Sequence, residues 1–207
     1  MYAESSDYYY PAGRMTPTAR RQQRPTPAAA SAEEVTSLTF VCGRKRSANY
    51  STLNCTVMRR IDACPYFHIM THAGTTVVRT NKGSTVAAVE WHGRGEGGGA
   101  DVEVGGVVGK QPVSTWLGIS EDASYRVMHA YGQTYVWVPQ HDSICLYHWD
   151  PMTGADVPRL LARIVKEKDS DNGDVVTLEI TLDAIRMGLL ELSVVCVVLF
   201  QSGCSID

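Results

Sequence analysis

From Val35 to Thr181 apolar and polar residues alternate in short runs rich in Val, Thr, Tyr and Ile. Gly, Asn, Asp or Pro bounds each run at intervals of about ten residues, the spacing of a β-sandwich or barrel. The alternation predicts strands at Val35 to Cys42, Leu53 to Met58, Tyr66 to Thr71, Thr75 to Thr80, Thr85 to His92 and Asp101 to Val104. It continues with strands at Val113 to Trp116, Tyr125 to His129, Thr134 to Val138, Ser143 to Tyr147, Arg159 to Lys166 and Asp174 to Thr181. The turn segments HAGT (72–75), NKGS (81–84) and AYGQT (130–134) each put a glycine where a hairpin needs positive φ, and DSDNGD (169–174) holds an Asn-Gly pair. Successive strands therefore pair as an antiparallel meander.

The pattern changes after Thr181. Ala184 to Phe200 is apolar on nearly every side once Glu191 is passed. As an α-helix it spans about 25 Å, short of the roughly 20 apolar residues a membrane span requires. It also carries Arg186 and Glu191, and a charge within a span costs about 2.5 to 3.5 kcal/mol. It is too long for a buried strand, and Asp183 is positioned as its N-cap. A helix apolar all round must be enclosed by protein. A barrel of more than eight strands leaves a lumen wide enough for such a helix. The expected fold is therefore mainly β: a closed antiparallel barrel of about twelve strands around a buried hydrophobic C-terminal helix, with no transmembrane segment.

Composition adds a boundary. Residues 1–33 hold Tyr8, Tyr9, Tyr10, Arg14, Arg20, Arg21, Arg24 and four prolines, with almost no branched aliphatics. Such a segment cannot bury enough apolar area to offset its ordering entropy and is expected to be a disordered tail. Residues 34–207 are expected to form the single barrel domain. The charges nearly cancel, 19 Lys+Arg against 22 Asp+Glu, so no overall field directs the chain to nucleic acid. No basic-then-apolar leader opens the sequence, which predicts a cytoplasmic protein whose cysteines are thiols. Cys42, Cys145 and Cys196 lie in apolar runs, where cysteine packs as a small hydrophobe.

The candidate chemistry is sparse. GRGEGGG contains a G-x-G-x-x-G at Gly93, Gly95 and Gly98, but a strand follows where a dinucleotide site needs a helix, so it reads as a hairpin loop. Cys64, His68 and His72 are spaced for metal only on a helix; on a strand His68 and His72 stand about 13 Å apart, and no zinc is expected. DSDNGDVVTLEI lacks the glycine and bidentate glutamate of a calcium loop. Cys64 stands near His68 in sequence, but strand spacing does not bring the two together as a catalytic pair. The reading is therefore of no enzyme, no catalytic residue and no cofactor. The dense cation cluster is Arg44, Lys45 and Arg46, joined in the expectation by Arg59 and Arg60. Alternation puts Trp91 with Val89 on the core face, and Glu90 with His92 on the other as a polar pair.

The order VAAVEWHG (86–93), TWLG (115–118), YGQTYVWVP (131–139), VTLEI (176–180) and a closing apolar helix resembles the basidiomycete fungal family known as domain of unknown function 6593. That family is similar in architecture to the tubby C-terminal, LURP-one and phospholipid scramblase barrels, which implies a tubby-like closed barrel of twelve strands around the helix. The family's biochemical role is unknown. The GRGEGGG insertion and the HWDPMTGADVP loop depart from its pattern. These readings give a cytoplasmic, non-catalytic binding or scaffold module whose partner is a protein or, as the tubby-like resemblance implies, an anionic lipid headgroup. The alternative is a membrane-associated, scramblase-like protein in which the C-terminal segment enters lipid.

Overall fold

The computed structural model describes residues 34–42, 52–93, 98–149, 158–169 and 173–207. The tail expected over residues 1–33 lies outside the described residues. Among those described, the chain runs through β1 (Val35–Cys42), β2 (Cys55–Arg59), β3 (Cys64–His72), β4 (Thr75–Thr80), β5 (Thr85–His92), β6 (Gly99–Val104) and β7 (Val108–Pro112). One helical turn, α1 (Val113–Trp116), leads to β8 (Leu117–Ile119), β9 (Arg126–Ala130), β10 (Gln133–Pro139), β11 (Ser143–Trp149), β12 (Leu160–Asp169) and β13 (Gly173–Thr181). The helices α2 (Leu182–Arg186) and α3 (Leu189–Gln201) close the series.

All described strands belong to one antiparallel sheet of 13 strands, ordered β7-β6-β5-β4-β3-β2-β1-β13-β12-β11-β10-β9-β8. Two meandering arms meet where β1 pairs with β13, from Val35↔Thr181 to Phe40↔Val176. The expected closed barrel is overturned. The sheet is open, with β7 and β8 as edges that make no ladder with each other. The physical reason lies in the segment between them. Val113 to Trp116, expected as a strand, forms α1 after Pro112, which has no N–H to donate. Val113 and Trp116 are buried there, so the turn packs into the interior and interrupts the extended backbone that a closing ladder would need.

The open sheet nevertheless surrounds α3. Alternate residues of its strands, such as Leu38, Phe40, Val57, Phe67, Val89, Trp137 and Leu178, form one hydrophobic cluster with the helix. Val194, Val195, Cys196, Val197 and Val198 have no exposed surface at all. Trp137 of β10 meets Phe200 edge-on at 5.6 Å, and Cys196 Sγ lies 3.9 Å from Met128 Sδ of β9. Each fully buried Val or Leu contributes about 1.5 to 3 kcal/mol of transfer free energy, which outweighs the modest helix propensity of a valine-rich segment. Among the described residues no helix is long and apolar enough to cross a membrane, which says nothing of β-barrel membrane proteins.

The helix starts differently from expectation. Thr181, not Asp183, is the cap: its Oγ1 accepts from Ala184 N at 3.2 Å. Asp183 sits in the first turn and pairs with Arg159 and with Arg186. The chain then breaks at Gly188, φ 79°, before α3 begins. A Cβ there would stand 2.8 Å from Tyr131 Oη, whose hydroxyl donates to Gly188 O. Gly188→Ala therefore meets both left-handed strain and a clash. It will lower stability by about 1 to 3 kcal/mol, read as a fall in the thermal midpoint.

Candidate functional site

The outer face of β1–β4 is concave. Register shifts fall between Val57 and Met58 in the β2–β3 ladder and between Val78 and Arg79 in β4–β5, and such bulges bend a strand and increase its twist. They frame a groove of about 830 Å³ lined in part by Val41, Thr56, Met58, His68, Met70 and Arg79. That volume falls in the range of small-ligand sites, roughly 300 to 1,000 Å³.

Register places these side chains together. Val41 faces Thr56, Thr56 faces His68, and His68 faces Arg79, one row across four strands. The intervening residues Phe40, Val57, Phe67, Ile69 and Val78 are buried on the opposite face, which fixes the row as outward. His68 Nδ1 lies 3.4 Å from Thr56 Oγ1, so the imidazole is held by a threonine rather than by Cys64. Val41 and Met70 are about half exposed, and methionine adapts its shape to irregular apolar ligands.

Arg79 supplies the charge. Arg59, Arg126, Arg159, Arg163 and Arg186 each pair with a carboxylate. Among the described residues Arg79 has no such partner, and Arg60 has none either. A cation beside apolar side chains in a concavity suits a ligand with an anionic head and an apolar part.

The residues expected from sequence are distributed as follows. Arg44, Lys45 and Arg46 lie outside the described residues. Arg59 and Arg60 stand at the far end of the β1–β2 pair: Arg59 is opposite Leu38, about 14 Å of strand from Cys42. They do not join the base of the 43–54 connection. Arg59 is also engaged, with Nη2 2.5 Å from Asp62 Oδ2 and its guanidinium 6.0 Å from the Tyr66 ring centroid. The guanidinium beside it holds the Asp62 carboxyl below its ordinary range.

Glu90 and His92 share the outward face of β5 but take separate partners. Lys110 Nζ lies 2.6 Å from Glu90 Oε2, and His92 Nε2 lies 3.5 Å from Asp101 Oδ1. The Glu90 carboxylate raises the Lys110 ammonium above its usual range. Trp91 lies on the core side as expected, half-buried, its Nε1 donating to Thr76 Oγ1 at 2.7 Å. Among the described residues no three His, Cys, Asp or Glu side chains come together to hold a metal. The Gly93–Gly98 stretch joins two paired strands, with His92 opposite Gly99; residues 94–97 lie outside the described residues.

Sequence reading misses Arg79 and the groove. Alternation in TTVVRT puts Arg79 on the face of Val77, but the value of that face depends on Met58, His68 and Val41 arriving from other strands.

The comparisons with known proteins add a family and little else. No curated protein matches the chain. A solved structure of a protein from Arabidopsis thaliana is similar over 79% of this chain and 90% of that one, with 12% identity and a TM-score of 0.32; a likeness of that size carries no argument. Residues 50–203, from the groove-lining β2 through α3, match the profile of a family of unknown function, DUF6593, and the chain belongs to that family.

Proposed function

We propose that this protein is a non-catalytic binding module whose β1–β4 groove takes an anionic lipid headgroup. The observation that carries the reading is Arg79, a cation with no carboxylate partner among the described residues, set in a row with His68 and flanked by Met58, Met70 and Val41. A phosphate meets the guanidinium there, and the adjoining glycerol and upper acyl carbons meet the apolar lining. The connection from Cys42 to Cys55 leaves beside Val41 and Asn54, two lining residues, and it carries Arg44, Lys45 and Arg46. Anionic membrane surfaces attract basic residues by about 1 kcal/mol each.

Co-sedimentation of the full chain with phosphatidylcholine vesicles containing phosphatidylserine tests this. Binding is expected to rise with the serine lipid and to fall with salt, because exposed charges are screened beyond about 10 Å at 0.1 M. Arg79→Glu reverses one charge and will weaken vesicle affinity roughly 30-fold, about 2 kcal/mol. If wild type and Arg79→Glu bind alike, or neither binds, the lipid reading fails and a protein partner for the same groove takes its place. The scramblase-like alternative needs α3 to leave the sheet for lipid, and the complete burial of Val194 to Val198 opposes it.

A further inference from the structure

All six cysteines lie among the described residues, and they stand as thiols. Two of them face each other. Cys42 ends β1, Cys55 begins β2, and the register sets them directly opposite. The ladder also fixes the kind of pairing. Arg60 N donates to Ser37 O at 2.9 Å, which makes Ser37 and Arg60 a hydrogen-bonded pair. Pairs alternate along an antiparallel ladder, and β1–β2 has no register shift. Counting five steps from Ser37 to Cys42 therefore makes Cys42 and Cys55 a non-hydrogen-bonded pair. In such pairs the Cα atoms stand about 4.5 Å apart and the side chains are at their closest. Disulfides take Cα separations of about 4.4 to 6.8 Å, so the backbone need not move to join them.

We propose that Cys42 and Cys55 are a covalent modification site, oxidised by hydrogen peroxide or a peroxide of its class to a disulfide that closes the 43–54 connection at its base. Cys42 is half-buried while Cys55 is buried, so the peroxide meets Cys42 first. The neighbouring Cys42 sulfur, together with burial, pushes the Cys55 thiol up, which agrees with that order. The Cys42 thiolate attacks one peroxide oxygen, the O–O bond breaks, and hydroxide leaves, giving a sulfenic acid. Cys55 Sγ then attacks Cys42 Sγ; the S–S bond forms, the S–O bond breaks, and the departing hydroxide takes the Cys55 proton as water. The sum is two thiols and one peroxide giving one disulfide and two waters, the sulfurs losing the two electrons the peroxide gains. Cys42 and Cys55 share the core-facing side of the ladder with Phe40 and Val57, behind the groove-lining Val41 and Asn54, and the chemistry does not depend on what the groove binds.

The test is peptide mapping of the reduced full chain treated with limiting hydrogen peroxide, quenched by alkylation and digested without reductant. The expected product is a linked Cys42–Cys55 peptide, lighter by two hydrogens, recovered from chains that run as monomers on a non-reducing gel and reversed by dithiothreitol. In Cys55→Ser the sulfenic acid on Cys42 has no resolving partner, and its dimedone adduct will rise roughly tenfold over wild type. If Cys42 and Cys55 are both still alkylated once the exposed Cys64 and Cys204 have been oxidised, the proposal is wrong. The wild-type map alone decides between these outcomes, whatever the variant does to folding.

Discussion

Val197→Asp will leave the chain without a cooperative fold. Val197 has no exposed surface, and neither have its neighbours Val194, Val195, Cys196 and Val198. A carboxylate at that position is enclosed in the hydrophobic cluster of helix and strand side chains. Burying an unpaired charge costs several kcal/mol even after relaxation, and the lost valine removes about 1.5 to 3 kcal/mol more. A domain of this size has about 5 to 15 kcal/mol to lose. Near-ultraviolet circular dichroism is expected to collapse and the thermal transition to vanish, whereas Val197→Ala keeps both with a lower midpoint. A cooperative melt in Val197→Asp would mean that α3 can leave the sheet at little cost.

Trp137→Ala is the second large effect. Trp137 is 1% exposed in β10 and meets Phe200 edge-on at 5.6 Å. It thereby ties the second arm of the sheet to the last turn of α3. Removing a buried Trp from a core costs about 3 to 5 kcal/mol, from lost transfer free energy and the cavity left behind. An aromatic pair adds roughly 0.5 to 1.5 kcal/mol. Trp137→Phe retains part of both and is expected to lose less than half as much in urea denaturation. Since Trp137 belongs to the core and not to the groove, neither variant should change vesicle affinity while folded, which separates stability from binding.

Particular segments show what the sequence can and cannot specify. Val35–Cys42, Thr75–Thr80 and Thr85–His92 are strands with the bounds that alternation predicts, because each has one apolar and one polar face. Val108–Pro112 and Leu117–Ile119 are strands that alternation does not predict; VGKQP and LGI are short and carry Gly, Lys or Pro where strand formers are expected. Val113–Trp116 reads as extended in sequence, since a four-residue stretch with β-branched and aromatic residues looks the same as a short helical turn. That one difference removes the closing ladder. Burial of the C-terminal helix follows from its lack of a polar face, but closure of the wall around it does not, because closure depends on two edges meeting in register.

The candidate site is less legible than the fold. Arg59 stands three residues before Asp62, the spacing at which the two form their neutralising pair in the structure. Arg79 carries no local signal: a single arginine on a strand reads as a solvated charge. It becomes a candidate only when the β2–β3, β3–β4 and β4–β5 ladders, with their bulges, bring Met58, His68 and Met70 beside it. Register across strands is tertiary information, and no window along the chain contains it.

The functional account rests on the groove, and its methionines allow a direct measurement. Met58 and Met70 line it, while Met128 is fully buried against Cys196 of α3. With methyl-labelled methionine, titration with short-chain phosphatidylserine should shift the Met58 and Met70 resonances, leave Met128 in place, and produce no change with the phosphatidylcholine analogue. Binding that moves Met128 while Met58 and Met70 stay fixed would contradict the account, because the lipid would then be engaging the helix and not the outer face of the sheet.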